Sequence, residues 1–128
     1  MTVATALAIG TGGFIGAVSR SWLNGQISHH IPHALPFGTL GVNLLGSLVM
    51  GILIAWFMNA EVPVHLKSFL TTGILGALTT YSTFAIESFL LFQGGSYFLA
   101  FGNIVFNAFG TVLMAGTGYR LYHLLAGN

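Results

Sequence analysis

Cysteine and aspartate are both missing from the 128 residues, so the chain has no disulfide framework, no thiolate metal site and no Cys- or Asp-based catalytic set. Charge is nearly missing as well. Three basic and two acidic residues make up 4% of the chain, where a soluble domain carries about 25%. The formal net charge of +1 excludes nucleic acid as a partner, because a polyanion is held by clustered cations. Apolar residues are what the chain has in abundance: it is 55% hydrophobic, with 18 glycines and a mean hydropathy of +0.87. That composition describes an integral membrane protein, whose partners are the lipid bilayer and whatever crosses it.

The charged residues Arg20, Glu61, Lys67, Glu87 and Arg120 partition the sequence, and a bilayer-crossing helix needs about 20 apolar residues. Four helices are expected: Val3 to Trp22, Phe37 to Met58, His65 to Phe92 and Tyr97 to Leu125. The fold class is therefore all-α, a single transmembrane domain over 1–128. The first apolar run is expected to be a span, because no Lys or Arg precedes Arg20 to form the basic region of a signal peptide.

The third span carries the least ordinary stretch. Within GALTTYSTF (Gly76 to Phe84), the hydroxyls of Thr79, Thr80, Ser82 and Thr83 interrupt an otherwise apolar helix and offer its backbone competing hydrogen bonds. A break is expected between Gly76 and Thr83. Unwound backbone in a membrane is tolerated only where protein buries it or where it lines a wet cavity, so the break marks a site. Glu87 follows by one turn beyond Phe84, a carboxylate at a depth where charge is expensive.

Other polar residues converge on the same idea. Asn43 is the one strongly polar residue of the second span, and its amide needs a partner or a pore. Ser47 lies one turn further on the same face. In the fourth span Asn103, Asn107 and Thr111 recur every four residues, one polar stripe that serves either helix packing or a dehydrated ion. Gly12 and Gly16 form a small-xxx-small face for close backbone approach, and Arg20 stands one turn beyond it. Arg20 either reaches lipid headgroups or sets a positive charge at the mouth of an anion path. His29, His30 and His33 fall in an expected loop from Asn24 to Pro36, a solvated interfacial segment rather than a metal site, since no carboxylate or thiol lies near.

Four spans put Lys67 and Arg120 on one side of the membrane and Arg20 on the other, so the basic residues give almost no orienting bias. Such a chain can insert both ways and associate as an antiparallel dimer. Four short helices do not enclose an ion path by themselves, so a permeation function calls for an oligomer.

Taken together, GGFIGAVSR (Gly12 to Arg20), PFGTLGVNLLGS (Pro36 to Ser47), TGILGALTTYSTFAIE (Thr72 to Glu87) and the asparagine stripe of the fourth span resemble the Fluc (CrcB) fluoride channels of bacteria over essentially the whole chain. The resemblance implies a dual-topology antiparallel homodimer in the bacterial inner membrane, with two fluoride pores and a structural sodium ion at its centre. It implies that backbone carbonyls of Gly76 and Thr79 hold the sodium. It also implies that Tyr81 and Phe84 stand where two phenylalanines edge the fluoride path, and that Asn43, Glu87 and Arg20 match the family's asparagine, glutamate and arginine. Tyr81 departs from the usual Phe, and Asn107 from a small hydroxyl residue. Both departures keep a donor.

Fluoride is small and tightly hydrated, so a pore must exchange water for donors at close range. Asn43, Tyr81, Ser82, Thr83 and Asn107 supply them, and Phe84 adds a weakly positive ring edge. No energy-coupling domain is visible in these residues, so the flow is expected to be passive, letting out fluoride that entered as HF. The rival reading is a proton-coupled exporter of the small multidrug type that uses Glu87. It places its carboxylate in the third span, whereas such transporters carry theirs in the first. An intramembrane enzyme is disfavoured for want of a nucleophile, base and orienter together.

Overall fold

The computed structural model describes residues 1–127, and those residues are all-helical apart from short connections. The helices are α1 (Val3–His30), α2 (Phe37–Asn59), α3 (Val64–Ser68), a π-helical segment (Phe69–Leu75), α4 (Gly76–Leu78), α5 (Tyr81–Gln93) and α6 (Tyr97–Ala126). They make four stretches long and apolar enough to cross a membrane: Val3–His30, Phe37–Asn59, Val64–Gln93 and Tyr97–Ala126. The protein is a multi-pass membrane protein.

The second, third and fourth spans lie within two residues of their expected limits, but the first runs well past Trp22. Polar residues do not end a helix, which stops at a breaker or a cap. None occurs before Pro32, and the Ile31 N–H still closes on the Ile27 carbonyl at 2.8 Å. His29 and His30 therefore belong to the last turn of α1, where the His30 ring meets the Gln26 carbonyl at 2.8 Å. His33 is in the short connection, its Nδ1 accepting from the Leu35 N–H at 2.9 Å. No group of three metal-ligating side chains forms among the described residues.

Glycine sets how closely the helices meet. A Cβ on Gly73 would stand 3.0 Å from the Gly12 Cα, and one on Gly16 would overlap the Ile74 carbonyl, so α1 rests backbone to backbone on the first half of the third span. The α2–α6 pair, the most extensive in the molecule, is built the same way: a Cβ on Gly51 would overlap the Ala115 carbonyl and one on Gly118 the Leu48 carbonyl.

The third span changes neighbours partway along. Its π-helical segment and α4 pack on α1, while α5 packs on α6. The break falls at the handover and is narrower than Gly76 to Thr83. Gly76 to Leu78 stay helical, and Tyr81, Ser82 and Thr83 form the first turn of α5. Only Thr79 (φ −84°, ψ 155°) and Thr80 (φ −146°, ψ 118°) are extended. The helix restarts at once because Thr80 caps it, its hydroxyl oxygen accepting from the Thr83 N–H at 3.3 Å.

Candidate functional site

A break costs a helix the hydrogen bonds that would cross it, and each freed group at Thr79–Thr80 can be followed. In a continuous helix the Thr80 N–H would close on the Gly76 carbonyl. Here it donates to Asn43 Oδ1 at 2.8 Å. Asn43 Nδ2 donates back to the Thr80 carbonyl at 3.1 Å, so one buried side chain of α2 satisfies both backbone groups of Thr80. The Thr83 N–H, which would close on the Thr79 carbonyl, goes to the Thr80 hydroxyl instead. Thr80's own hydroxyl proton goes to Thr83 Oγ1 at 2.9 Å. The Ala77 carbonyl, deprived of its partner in the same way, accepts from Arg20 Nε at 2.9 Å. Arg20 thus places a cation at the C-terminal end of a half-helix, where the backbone dipole favours it.

The carbonyls of Gly76 and Thr79 are left without their helical donors. Backbone carbonyl oxygen is the ligand chemistry that suits a hard alkali cation.

The break opens onto a cavity of about 520 Å³. Asn43, Ser47, Thr79, Thr80, Tyr81, Phe84, Asn107 and Thr111 line it, with Met50, Leu75 and Ile104 among its apolar walls. Three different spans therefore bring their polar residues to one place. The rings of Tyr81 and Phe84 meet edge to face, centroids 5.3 Å apart and planes at 77°. Phe84 is buried, whereas Tyr81 is 80% exposed at the cavity rim.

Several of these donors are already engaged. Asn43 Nδ2 also donates to Asn107 Oδ1 at 2.9 Å. Asn107 Nδ2 donates to the Asn103 carbonyl at 2.9 Å and to Asn103 Oδ1 at 3.1 Å, and the Thr111 hydroxyl donates to the Asn107 carbonyl at 2.6 Å. The Ser47 and Tyr81 hydroxyls have no such partner among the described residues and are the uncommitted donors of the cavity.

Five expected site residues lie outside the cavity lining besides Gly76. Asn103 is fully buried behind Asn107. Ser82 is exposed and Thr83 is half-buried at the start of α5. Arg20 is held at Ala77. Glu87 is half-buried with Oε1 enclosed and without a hydrogen-bond partner among the described residues, and the Thr39 side chain of α2 stands beside its carboxyl. Residue type alone does not single out Thr39, an isolated hydroxyl in an apolar run, or Ser88, which stands beside Glu87. For Ser88 the signal was its spacing of four from Phe84, at which a serine hydroxyl bonds back to a helix carbonyl.

The sequence profile of the family described as "CrcB-like protein, Camphor Resistance (CrcB)" matches residues 7–119. A protein of Sulfurimonas denitrificans named "Fluoride-specific ion channel FluC" is 63% identical over 97% of both chains. Proteins of the same name from Nautilia profundicola and a Sulfurovum species are each 49% identical, the first over 62% of this chain and 63% of its own, the second over 61% of both. With a profile match along most of its length and a relative this similar from end to end, the chain belongs to the CrcB family.

Proposed function

We propose that the chain is a passive, fluoride-selective channel of the bacterial inner membrane that works as an antiparallel, dual-topology homodimer. It has two ion paths and a structural sodium ion between the subunits. One observation carries the reading: two extended residues in mid-membrane, held by a buried asparagine, open onto a cavity that mixes amides and hydroxyls with an edge-to-face aromatic pair.

Fluoride leaves water only for donors that replace its hydration at close range. Ser47 and Tyr81 offer free hydroxyls. Asn43 and Asn107 offer amide N–H groups that exchange an internal bond for the ion, and Phe84 offers a ring edge. Thr111 adds a hydroxyl to the cavity wall, Ser82, Thr83, Arg20 and Glu87 extend the polar lining beyond it, and Asn103 stands buried behind Asn107. Spread over many moderate donors, binding stays weak enough for the ion to leave, as conduction requires. Arg20 adds positive potential without adding a second cation to the hydrocarbon. The relatives' shared name, a fluoride-specific ion channel, supports the same ion.

The dimer follows from what one subunit leaves open. Extended backbone does not face lipid, yet Thr79 and Thr80 line a cavity that opens at the subunit surface, and Tyr81 on its rim is 80% exposed. A second copy related by a two-fold axis covers both. It also brings the Gly76 and Thr79 carbonyls of two subunits together, four hard oxygens for sodium, which would hold the two breaks in register.

The test is ion efflux from liposomes containing the purified protein, followed with a fluoride electrode and a potassium ionophore to relieve the voltage. Fluoride leaves rapidly and only with the ionophore present, while chloride is retained. Equal loss of both anions sinks selectivity, and fluoride efflux without the ionophore sinks passive conduction.

A further inference from the structure

Ser88 is 4% exposed, does not line the cavity and has no part in the transport reading. It nevertheless ends a hydrogen-bond chain that starts at the break. Its hydroxyl donates to the Phe84 carbonyl at 2.8 Å. A serine hydroxyl has one proton, so toward every other neighbour Ser88 can only accept. Asn103 Nδ2 meets it at 2.9 Å, which turns the Asn103 NH2 toward Ser88 and its Oδ1 toward Asn107. Asn107 then faces Asn103 with its NH2 and offers Oδ1 to Asn43. At the far end the Thr80 N–H can only donate, and it requires Oδ1 of Asn43. Thr80 fixes Asn43 through both its backbone groups, the Asn103 carbonyl fixes the NH2 of Asn107, and with Ser88 donating to Phe84 the three amides have one orientation that satisfies every contact.

We propose that Ser88 is a positioning residue: a single hydroxyl, remote from the ion, holds the Asn103 amide with its Oδ1 toward Asn107 and thereby steadies the orientation of the Asn107 amide, which lines the cavity and meets Asn43. Its functional half rests on the fluoride reading above. An amide that turns its oxygen to the path repels an anion that its nitrogen would bind, so the polarity of this chain is a determinant of selectivity. Without Ser88, Asn103 loses its acceptor and is free to turn, Asn107 Nδ2 is left with the Asn103 carbonyl as its one remaining acceptor, and the Asn107 amide is held less firmly against Asn43 and the cavity.

The experiment uses full-length protein in lipid nanodiscs, labelled with ¹⁵N only at asparagine. Side-chain NH2 signals are assigned by replacing single asparagines. In Ser88→Ala the signals of Asn103, Asn107 and Asn43 all move, those of Asn24 and Asn59 stay, and Ser88→Thr returns the three to their places. Movement confined to Asn103, or no return in Ser88→Thr, overturns the relay. If Ser88→Ala does not fold, Ser88→Cys takes its place, since sulfur keeps the volume and accepts poorly. In the liposome assay the alanine variant loses fluoride-over-chloride selectivity by about tenfold, the factor that one misplaced hydrogen bond is worth, and the threonine variant recovers it. Unchanged selectivity with displaced amide signals overturns the functional half. Wild-type protein that carries no fluoride rejects the channel reading instead, and the amide signals then decide the relay alone.

Discussion

Asn43 and Thr80 pair as neighbouring strands do: the Thr80 N–H donates to Asn43 Oδ1 at 2.8 Å, and Asn43 Nδ2 donates to the Thr80 carbonyl at 3.1 Å. A side chain thereby substitutes for a backbone partner, and the helix is interrupted in mid-membrane with both backbone groups of Thr80 satisfied. Replacing Asn43 by Leu removes both bonds at once. Each buried polar group left unpaired costs about 1–3 kcal/mol, so the variant is expected to lose several degrees or more in thermal unfolding of the detergent-solubilised protein. Asn43→Asp keeps the acceptor for Thr80 but has no amide donor. It leaves the Thr80 carbonyl and Asn107 Oδ1 facing an oxygen, and is expected to lose stability as well as to conduct poorly, while the Thr80 N–H stays paired.

Neighbouring glycines of α1 differ sharply in what surrounds them. A Cβ on Gly16 would overlap the Ile74 carbonyl, while one on Gly13 has nothing within 4 Å. Gly16→Ala must push α1 off the third span and is expected to cost about 1–3 kcal/mol, as overpacking does. Gly13→Ala is expected to be neutral or stabilising, because alanine favours helix by up to about 1 kcal/mol over glycine. Comparing the melting temperatures of the two variants checks both. Equal effects would mean that the small-residue face is not the contact.

The contrast bears on what the sequence could reveal. Gly12 and Gly16 were legible because a small-xxx-small pair has one main use in a membrane, and α1 does rest there on Gly73 and Ile74. The four spans were legible because hydrophobic length leaves few alternatives. The extent of the break was not. Four hydroxyls suggested a wide gap, but a hydroxyl that competes with the helix can also cap it, and Thr80 does so within one residue of the interruption. The π-helical form of Phe69–Leu75, the segment on which α1 rests, has no signal in the composition of those residues. The partnership of Asn43 with Thr80 was likewise hidden: a lone polar residue announces that it needs a partner and does not name it.

Tyr81 and Phe84 share one aromatic contact but stand differently toward the cavity, Phe84 buried in its wall and Tyr81 exposed at its rim with a free hydroxyl. Phe84→Ile removes the ring while keeping apolar volume, and is expected to abolish fluoride flux with the oligomer intact by size-exclusion chromatography. Tyr81→Phe keeps the ring and removes one donor, and is expected to reduce flux by about tenfold at most. Normal flux through Phe84→Ile would remove the ring edge from the path.

Glu87 distinguishes a channel from a proton-coupled exporter. Its Oε1 is enclosed without a hydrogen-bond partner among the described residues, in a span otherwise able to cross a membrane, and Thr39 stands beside the carboxyl. An exporter needs a carboxylate that exchanges a proton for its substrate, and a glutamine holds none to exchange. A channel needs only that the site stay polar, which an amide provides. Glu87→Gln is therefore expected to retain fluoride efflux near the wild-type rate when voltage is relieved by a potassium ionophore. In the wild type, a pH gradient imposed across the liposome with voltage clamped at zero is expected to drive no accumulation of fluoride ion beyond that of the freely diffusing acid in protein-free vesicles. Loss of all flux in Glu87→Gln, together with fluoride accumulation driven by the gradient in the wild type, would replace passive conduction with proton exchange at this carboxylate.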